Sequence, residues 1–230
     1  MTTYSEYKQR REKLMAKIGD GTAIFRSAPM AVMHNDVEYA YRQDSDFFYL
    51  TGFNEPEAVA VIAPHHKKHK FVLFVQPKNR EKETWSGYRA GVEVAQQKYG
   101  ADAAFPISEF NQKLPEYLKK ADKIYYRLGR DRNFNETVFK HWQNLMRVYP
   151  KSGTGPIAIQ DAGTILHPMR LVKSAKELEQ MQKAADIAVN AHNHGIKFAQ
   201  AGQFEYQIQA EIEYIFSRHG ATPAYPSIVA

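Results

Sequence analysis

Residues 39–56 read Tyr39-Ala40-Tyr41-Arg42-Gln43-Asp44-Ser45-Asp46-Phe47-Phe48-Tyr49-Leu50-Thr51-Gly52-Phe53-Asn54-Glu55-Pro56. The apolar run at 47–50 predicts a strand, and the Gly, Asn and Pro that follow it predict a turn. Two more apolar runs, at 58–62 and 71–75, predict further strands. This succession of short strands indicates a sheet.

Helical patterns flank these strands on both sides. An opening helix is predicted over 4–18, followed by a strand over 22–25. Later in the chain the pattern predicts helices over 92–99, over 108–120 with Ser108 as N-cap, and over 133–148, and a strand over 122–127. Strands mixed with helices predict an α/β fold, in which helices cover a sheet.

A stretch rich in Pro and Gly, at 150–156, interrupts these patterns and predicts a domain boundary. We predict a first domain over 1–150, a linker over 151–173 and a second unit over 174–230. Ser174 and Glu177 form a capping box that should begin a helix, and another amphipathic helix should follow Gly202. Residues 224–230 resemble the approach to a strand. Because two amphipathic helices and a strand stub cannot bury their apolar faces alone, we expect this unit to be incomplete.

The composition is that of a globular protein. The 230 residues are 43% hydrophobic and 24% charged, which excludes disorder as the dominant state. The chain has no Cys, so disulfides, thiolate nucleophiles and cysteine-ligated zinc are excluded. No apolar run approaches the roughly 18 residues of a membrane helix, and the first residues do not resemble a signal peptide. We therefore expect a cytoplasmic protein with no membrane partner.

The charge is mildly basic, with 31 Lys+Arg against 25 Asp+Glu and a formal net charge of +6. Its densest cluster, at 65–70, lies between two predicted strands and is interpreted as the solvated connection of a hairpin. Nucleic-acid binding remains a minor alternative, because the basic residues would have to cluster on one face. Nucleic acid is not an expected partner.

Residue patterns alone reveal no complete active site. His192 and His194 are two positions apart in a predicted helix, about 200° apart around its axis, so they cannot converge on one metal ion. Neither the zinc-peptidase pattern His-Glu-x-x-His nor the nucleophile elbow Gly-x-Ser-x-Gly occurs. Trp85 lies in a predicted polar loop, where it either folds back onto the core or forms part of an interface.

Three stretches resemble the aminopeptidase P family, which removes an N-terminal residue that precedes proline. The stretch 39–56 resembles the signature of its N-terminal domain. The run 169–174 with Glu177 resembles the entry to its catalytic domain, and 224–230 resembles the first strand of that domain. The resemblance implies an α/β chain: an N-terminal mixed-sheet domain of the creatinase/aminopeptidase P type, followed by an incomplete α+β "pita-bread" metallopeptidase domain.

The resemblance also implies a chemistry. In the family, two metal ions, usually manganese, are held by two Asp, one His and two Glu, which follow the strand where this sequence ends. None of these ligands maps onto the chain, so the resemblance implies a truncated enzyme that is inactive alone, with no catalytic or metal-binding residue of its own. Asp36 and Trp85 match residues that the N-terminal domain lends to the substrate cleft of a neighbouring subunit. A homo-oligomer and a peptide substrate with proline at the second position are therefore expected.

Three functions remain open from the sequence. The first is the front part of an Xaa-Pro aminopeptidase, with prolidase-type and creatinase-type relatives as variants of the same architecture. The second is a non-catalytic module for oligomerisation or interaction, and the third is nucleic-acid binding.

Overall fold

The computed structural model describes residues 4–229. The chain divides into two compact units, with the division between Leu171 and Val172. In the first unit the helices are α1 (Tyr4–Ile18), α2 (Ser45–Thr51), α3 (Arg80–Ser86), α4 (Gly91–Tyr99), α5 (Phe110–Leu118), α6 (Arg132–Ser152) and α7 (Gly163–Leu171), and a 3-10 turn spans Ile107–Glu109. The strands are β1 (Thr22–Arg26), β2 (Val32–His34), β3 (Val37–Glu38), β4 (Val59–Ile62), β5 (Phe71–Val75), β6 (Ala103–Pro106), β7 (Ile124–Tyr125) and β8 (Ile159–Gln160).

One mixed sheet organises the first unit, in the order β6-β5-β4-β1-β7-β8, and the pair β2-β3 forms a separate hairpin. Strand β4 pairs antiparallel with β1 and with β5, whereas the pairs β1-β7, β5-β6 and β7-β8 are parallel. The basic segment 65–70 connects β4 to β5, which confirms the predicted hairpin. The predicted mixed-sheet α/β fold is confirmed.

The first unit has a hydrophobic core on each face of its sheet, because successive side chains of a strand point to opposite faces. In β1, Ala23 and Phe25 face one layer, and Ile24 faces the other. The first layer is closed by α1, α2, α4 and α7, and the second by α5 and α6. The central strands β4 and β5 are buried along their whole length, which explains their continuous apolar sequence.

The strand predicted at 47–50 is wrong, because the structure has helix α2 there. The side chain of Asp44 caps this helix by accepting hydrogen bonds from the backbone N–H groups of Asp46 and Phe47, each at 2.9 Å. Phe47 and Leu50, three residues apart, are fully buried, whereas Phe48 is exposed. Capping and helical burial therefore outweigh the strand preference of the aromatic residues.

The stretch predicted as a linker, 151–173, instead contains the end of α6, strand β8 and helix α7. Pro150 lies in the last turn of α6, and Gly153 ends that helix at φ 63°. The indole N–H of Trp142 donates to the carbonyl oxygen of Pro156 at 2.8 Å. Parallel pairing of β8 with β7 then adds this segment to the sheet, which keeps it in the first unit.

Smaller differences concern the ends of elements. Ser108 lies in the 3-10 turn before α5, and no side-chain hydrogen bond caps that helix. The strand predicted over 122–127 is shortened to β7. Both differences are local and concern only where these elements begin and end.

The second unit contains helices α8 (Ala175–Phe198) and α9 (Glu205–Arg218). The capping box of Ser174 and Glu177 is formed, as predicted. The two helices approach closely at Gly195, where a Cβ atom would lie 2.9 Å from Ile212. Residues 224–229 do not form a strand, because a strand needs a pairing partner and the described residues of this unit contain no strand. Ala230, the last residue of the predicted strand approach, lies outside the described residues.

Candidate functional site

Asp36 lies in the turn of the β2-β3 hairpin. In this hairpin Val32 pairs with Glu38 and His34 with Val37. The turn is tight, and the preceding Asn35 adopts a left-handed conformation at φ 47°. Asp36 is exposed, and its side chain has no hydrogen bond to another described residue. Its carboxylate is therefore free to meet a ligand or a second chain.

Trp85 lies in helix α3, where the sequence predicts a polar loop. Its side chain is 90% exposed, so it does not fold back onto the core. Tyr88, just after the helix, is also exposed. Among the described contacts, none joins Trp85 to Asp36. The interpretation in which Trp85 folds back onto the core is therefore wrong, and the interface stays a prediction.

The histidines and carboxylates of residues 4–229 form no group of three or more that could hold a metal ion. Nδ1 of His192 hydrogen-bonds the carbonyl oxygen of Ala188 at 2.7 Å, within its own helix. Nε2 of His194 lies 2.6 Å from Oε2 of Glu211, on the next helix. These two rings make separate contacts, as expected from their spacing.

A pocket of about 460 Å³ lies at the carboxyl ends of β1 and β7. These strands are parallel neighbours in the sheet, so the residues that follow them, Ser27 and Arg127, reach the same edge. The first residues of α2 and α7 complete the wall. Ligands of open α/β sheets bind outside the carboxyl ends of the strands. Residue patterns did not indicate this pocket, although three of its charged residues, Arg42, Asp44 and Asp46, lie within 39–56.

Most of the charged side chains that line this pocket form ion pairs. Asp46, which is 7% exposed, accepts a hydrogen bond from Arg170. Its second carboxylate oxygen lies 3.3 Å from Nε2 of His167 and 3.7 Å from a guanidinium nitrogen of Arg127. In addition, Arg130 pairs with Asp44, and Arg26 pairs with Asp131. The pairs connect α2, α6 and α7 around one cavity.

His167 has two competing partners. Its Nε2 lies 3.4 Å from a guanidinium nitrogen of Arg127, as well as 3.3 Å from Asp46. A ring nitrogen can donate to the carboxylate or accept from the guanidinium, but it cannot do both. The hydrogen bonding of the pocket therefore has two alternative arrangements.

Two tyrosines support the wall as hydrogen-bond donors. Burial raises the pKa of Tyr126 to about 12, and its hydroxyl donates to Oδ1 of Asn135 at 2.7 Å. Burial likewise raises the pKa of Tyr41 to about 12, and its hydroxyl donates to the carbonyl oxygen of Ala28 at 3.2 Å. Both hydroxyls therefore stay protonated through the physiological range.

Comparison with known proteins gives two family matches. The family model "Aminopeptidase P, N-terminal domain" matches residues 7–125, and "Metallopeptidase family M24" matches residues 179–230. The Xaa-Pro aminopeptidase of Escherichia coli K12 is 36% identical over 97% of this chain and 52% of its own length. That of Haemophilus influenzae is 33% identical over 98% of this chain and 50% of its own length. The chain thus spans about half the length of these curated relatives.

Solved structures give the same result. Aminopeptidase PepP of Pseudomonas aeruginosa matches with a TM-score of 0.94 and 41% identity, over 100% of this chain and 52% of that one. Zinc-substituted aminopeptidase P of E. coli in complex with product matches with a TM-score of 0.89 and 34% identity, over 95% of this chain and 50% of that one. Because these matches cover almost the whole chain, both of its compact units have counterparts in the two solved structures.

Proposed function

This chain belongs to the aminopeptidase P family, and we propose that it is the N-terminal portion of a dinuclear-metal aminopeptidase that removes an N-terminal residue preceding proline. The observation that carries the proposal is the pair of family matches, N-terminal domain first and metallopeptidase second, along one chain. The relatives named Xaa-Pro aminopeptidase share 33–36% of residues across both units, which supports the substrate class.

The metal ions need ligands that the described residues do not supply, since residues 4–229 contain no suitable group. We place the ligands in the region of the relatives that this chain does not span. Bound there, two divalent ions, manganese in the first instance, would activate a water and polarise the scissile carbonyl. The contribution of this chain is then structural and positional, and the 230 residues alone should not turn over peptide.

The surface of the helices in the second unit supports the inference that another part of the protein packs against them. Several apolar side chains of α8 and α9 are more than half exposed, including those of Leu178, Met181, Val189 and Ile196. Exposed apolar side chains clustered on an amphipathic helix mark a surface for further packing. We infer that the remainder of a metallopeptidase domain covers them.

In the proposed enzyme, Asp36 and Trp85 are the two residues of this chain that lie near the substrate. Both are exposed and project from the sheet unit, one on a hairpin turn and the other on α3. We propose that they line the rim of the substrate cleft in a neighbouring subunit of a homo-oligomer. A carboxylate is suited to the peptide's N-terminal ammonium group, and an indole to an apolar side chain.

A peptide panel tests the activity on a polypeptide that carries this chain together with its catalytic region. We expect tripeptides with proline at the second position to be cleaved and their alanine counterparts to be left intact. Cleavage restricted to Xaa-Pro dipeptides would instead assign a prolidase-type enzyme. Chelator-sensitive turnover by the 230-residue chain itself, with added manganese, would contradict its inactivity.

Light scattering tests the assembly. We expect an oligomer whose dissociation constant rises about tenfold or more in Trp85→Ala, because exposed Trp is enriched among residues that dominate interfaces. The matched control is Leu128→Ala, an exposed apolar residue of the same unit. A clean monomer at high concentration would contradict the oligomer.

The cellular location forms part of the proposal. No helix among the described residues is long and apolar enough to cross a membrane. We propose the cytoplasm, whereas one relative, intermediate cleaving peptidase 55 of Arabidopsis thaliana, is named mitochondrial. Cell fractionation with an antibody against the chain separates the two locations.

A further inference from the structure

We propose that the pocket at the carboxyl ends of β1 and β7 binds a small organic oxyanion through a carboxylate or phosphate group. Charge is the first argument. Five guanidinium groups line the pocket against three carboxylates, which leaves two unmatched positive charges when His167 is neutral. The five are Arg26, Arg42, Arg127, Arg130 and Arg170.

The three carboxylates are already committed to other groups. Oδ1 of Asp44 accepts two backbone N–H groups of α2, and its other oxygen accepts from Arg130. Oδ1 of Asp131 accepts the N–H of Phe134 at 2.8 Å, and its other oxygen accepts from Arg26. Asp46 has partners on both oxygens. Because each guanidinium carries five N–H donors, donors exceed acceptors in this cavity.

Arg42 is the residue that favours a binding site over a purely structural network of ion pairs. Ion pairs that connect α2, α6 and α7 account for Arg26, Arg130 and Arg170. Arg42 is exposed and forms no hydrogen bond or ion pair with a described residue. Its neighbour Gln43 is held firmly, because Oε1 of Gln43 accepts the N–H groups of Ala28 and Asp44, each at 2.8 Å. An unpaired guanidinium is thus held on a well-anchored segment at the pocket.

The ligand class follows from shape and charge. A volume of about 460 Å³ is within the range of small-molecule sites and exceeds what a lone phosphate needs. Apolar residues, including Ala28, Pro29 and Ala162, also line it, so the pocket can hold the organic body of a ligand. Guanidinium forks match carboxylate and phosphate oxygens. A divalent cation would instead be repelled by the net positive charge.

The test uses the 230-residue chain labelled with ¹⁵N, titrated separately with citrate, inorganic phosphate and glycerol 3-phosphate. Arginine Nε–Hε signals report the contact directly. We expect saturable shifts confined to the pocket arginines, and a dissociation constant about tenfold or more higher in Arg42→Gln. Tenfold corresponds to about 1.4 kcal/mol. Arg147→Gln makes the same charge change on the exposed face of α6, outside the pocket, and should bind as the wild type does.

The outcomes separate clearly. Saturable binding of citrate alone assigns a carboxylate ligand, and saturable binding of the phosphates alone assigns a phosphate ligand; binding of both supports the shared chemistry. No saturable binding of any probe, or equal weakening by Arg42→Gln and Arg147→Gln, would overturn the proposal. Arg42→Lys, which keeps the charge but not the fork, should fall between wild type and Arg42→Gln. None of these results depends on peptidase activity, so the proposed function stands or falls separately.

Discussion

Arg170, in α7, donates a hydrogen bond to Oδ1 of Asp46, in α2, although the two residues are 124 positions apart. The hydroxyl of Tyr49, also in α2, donates to the carbonyl oxygen of Met169 at 3.1 Å. These contacts join the two helices beside the pocket. Helix α7 is thereby part of the sheet unit and not a free connection.

Removing the carboxylate charge of Asp46 should destabilise the sheet unit. In Asp46→Asn, the cationic groups that face this side chain lose their ionised acceptor, and the side chain itself is nearly buried. Because the arginine partners are partly exposed and water screens them, we expect a cost of about 1–3 kcal/mol in unfolding free energy. Urea denaturation measures it. Asp122→Asn, at an exposed position, should cost less than about 0.5 kcal/mol; equal costs would contradict the role of Asp46.

Truncations within α2 distinguish the helix from the strand that the sequence predicts. Phe47→Ala should cost about 3–5 kcal/mol because its side chain is fully buried. Phe48→Ala should cost about 1 kcal/mol, since that ring is exposed and its contact with the ring of Tyr7 is T-shaped, with centroids 6.1 Å apart. Leu50→Ala should resemble Phe47→Ala, because the two share one helical face. In a strand, Phe48 and Leu50 would instead share one face of the sheet. A large cost at Phe48 would therefore contradict the helix.

Gly52 ends α2 in a position that excludes a side chain. Its φ is +66°, and a Cβ atom would lie 2.5 Å from a ring carbon of Tyr7. Gly19 has a similar φ of +56° but open space around its Cβ position, so it isolates the backbone strain. We expect Gly19→Ala to cost about 1 kcal/mol and Gly52→Ala about 2–4 kcal/mol. Thermal and urea unfolding measure both costs. Equal costs would mean that the ring of Tyr7 moves away freely, and would contradict the predicted clash.

Acid should weaken the sheet unit partly through His65. Burial lowers the pKa of His65 below its usual 6.5, although the Asp20 carboxylate opposes this effect and His66 adds to it. Hydrogen bonds with the backbone of Tyr117 and Asp20 also favour the charged ring, but burial outweighs them. The unfolded chain therefore takes up the proton at a higher pH than the folded chain, and stability falls as the pH drops below about 6.5.

Denaturant titrations at several pH values between 7.5 and 5 measure this dependence. In His65→Gln the loss of stability over that range should be smaller than in the wild type, by no more than about 1.4 kcal/mol per pH unit. His141, whose pKa is also lowered by burial, should preserve part of the slope. His34→Gln, on the exposed hairpin, is the control. Parallel slopes in His65→Gln and the wild type would refute the role of His65.

Short-range patterns were sufficient for much of the fold. Ser174 and Glu177 form their capping box because both partners lie within one helical turn. Strands β4 and β5 follow from continuous apolar runs with a polar connection between them. The resemblance of 39–56 to the aminopeptidase P signature likewise needs no coordinates. These inferences hold because capping, periodicity and family signatures are carried by residues close together in the chain.

Only the tertiary structure decided the rest. Phe47 lies in a helix because its ring is buried beneath α1 and Asp44 caps the first turn, which outweighs its preference for a strand. The pocket brings Asp46 beside Arg127 and Arg170 because β1 pairs in parallel with β7, a long-range contact that no local pattern encodes. The exposure of Trp85 is likewise a property of the folded chain, since nothing in its neighbours indicates which way the indole points.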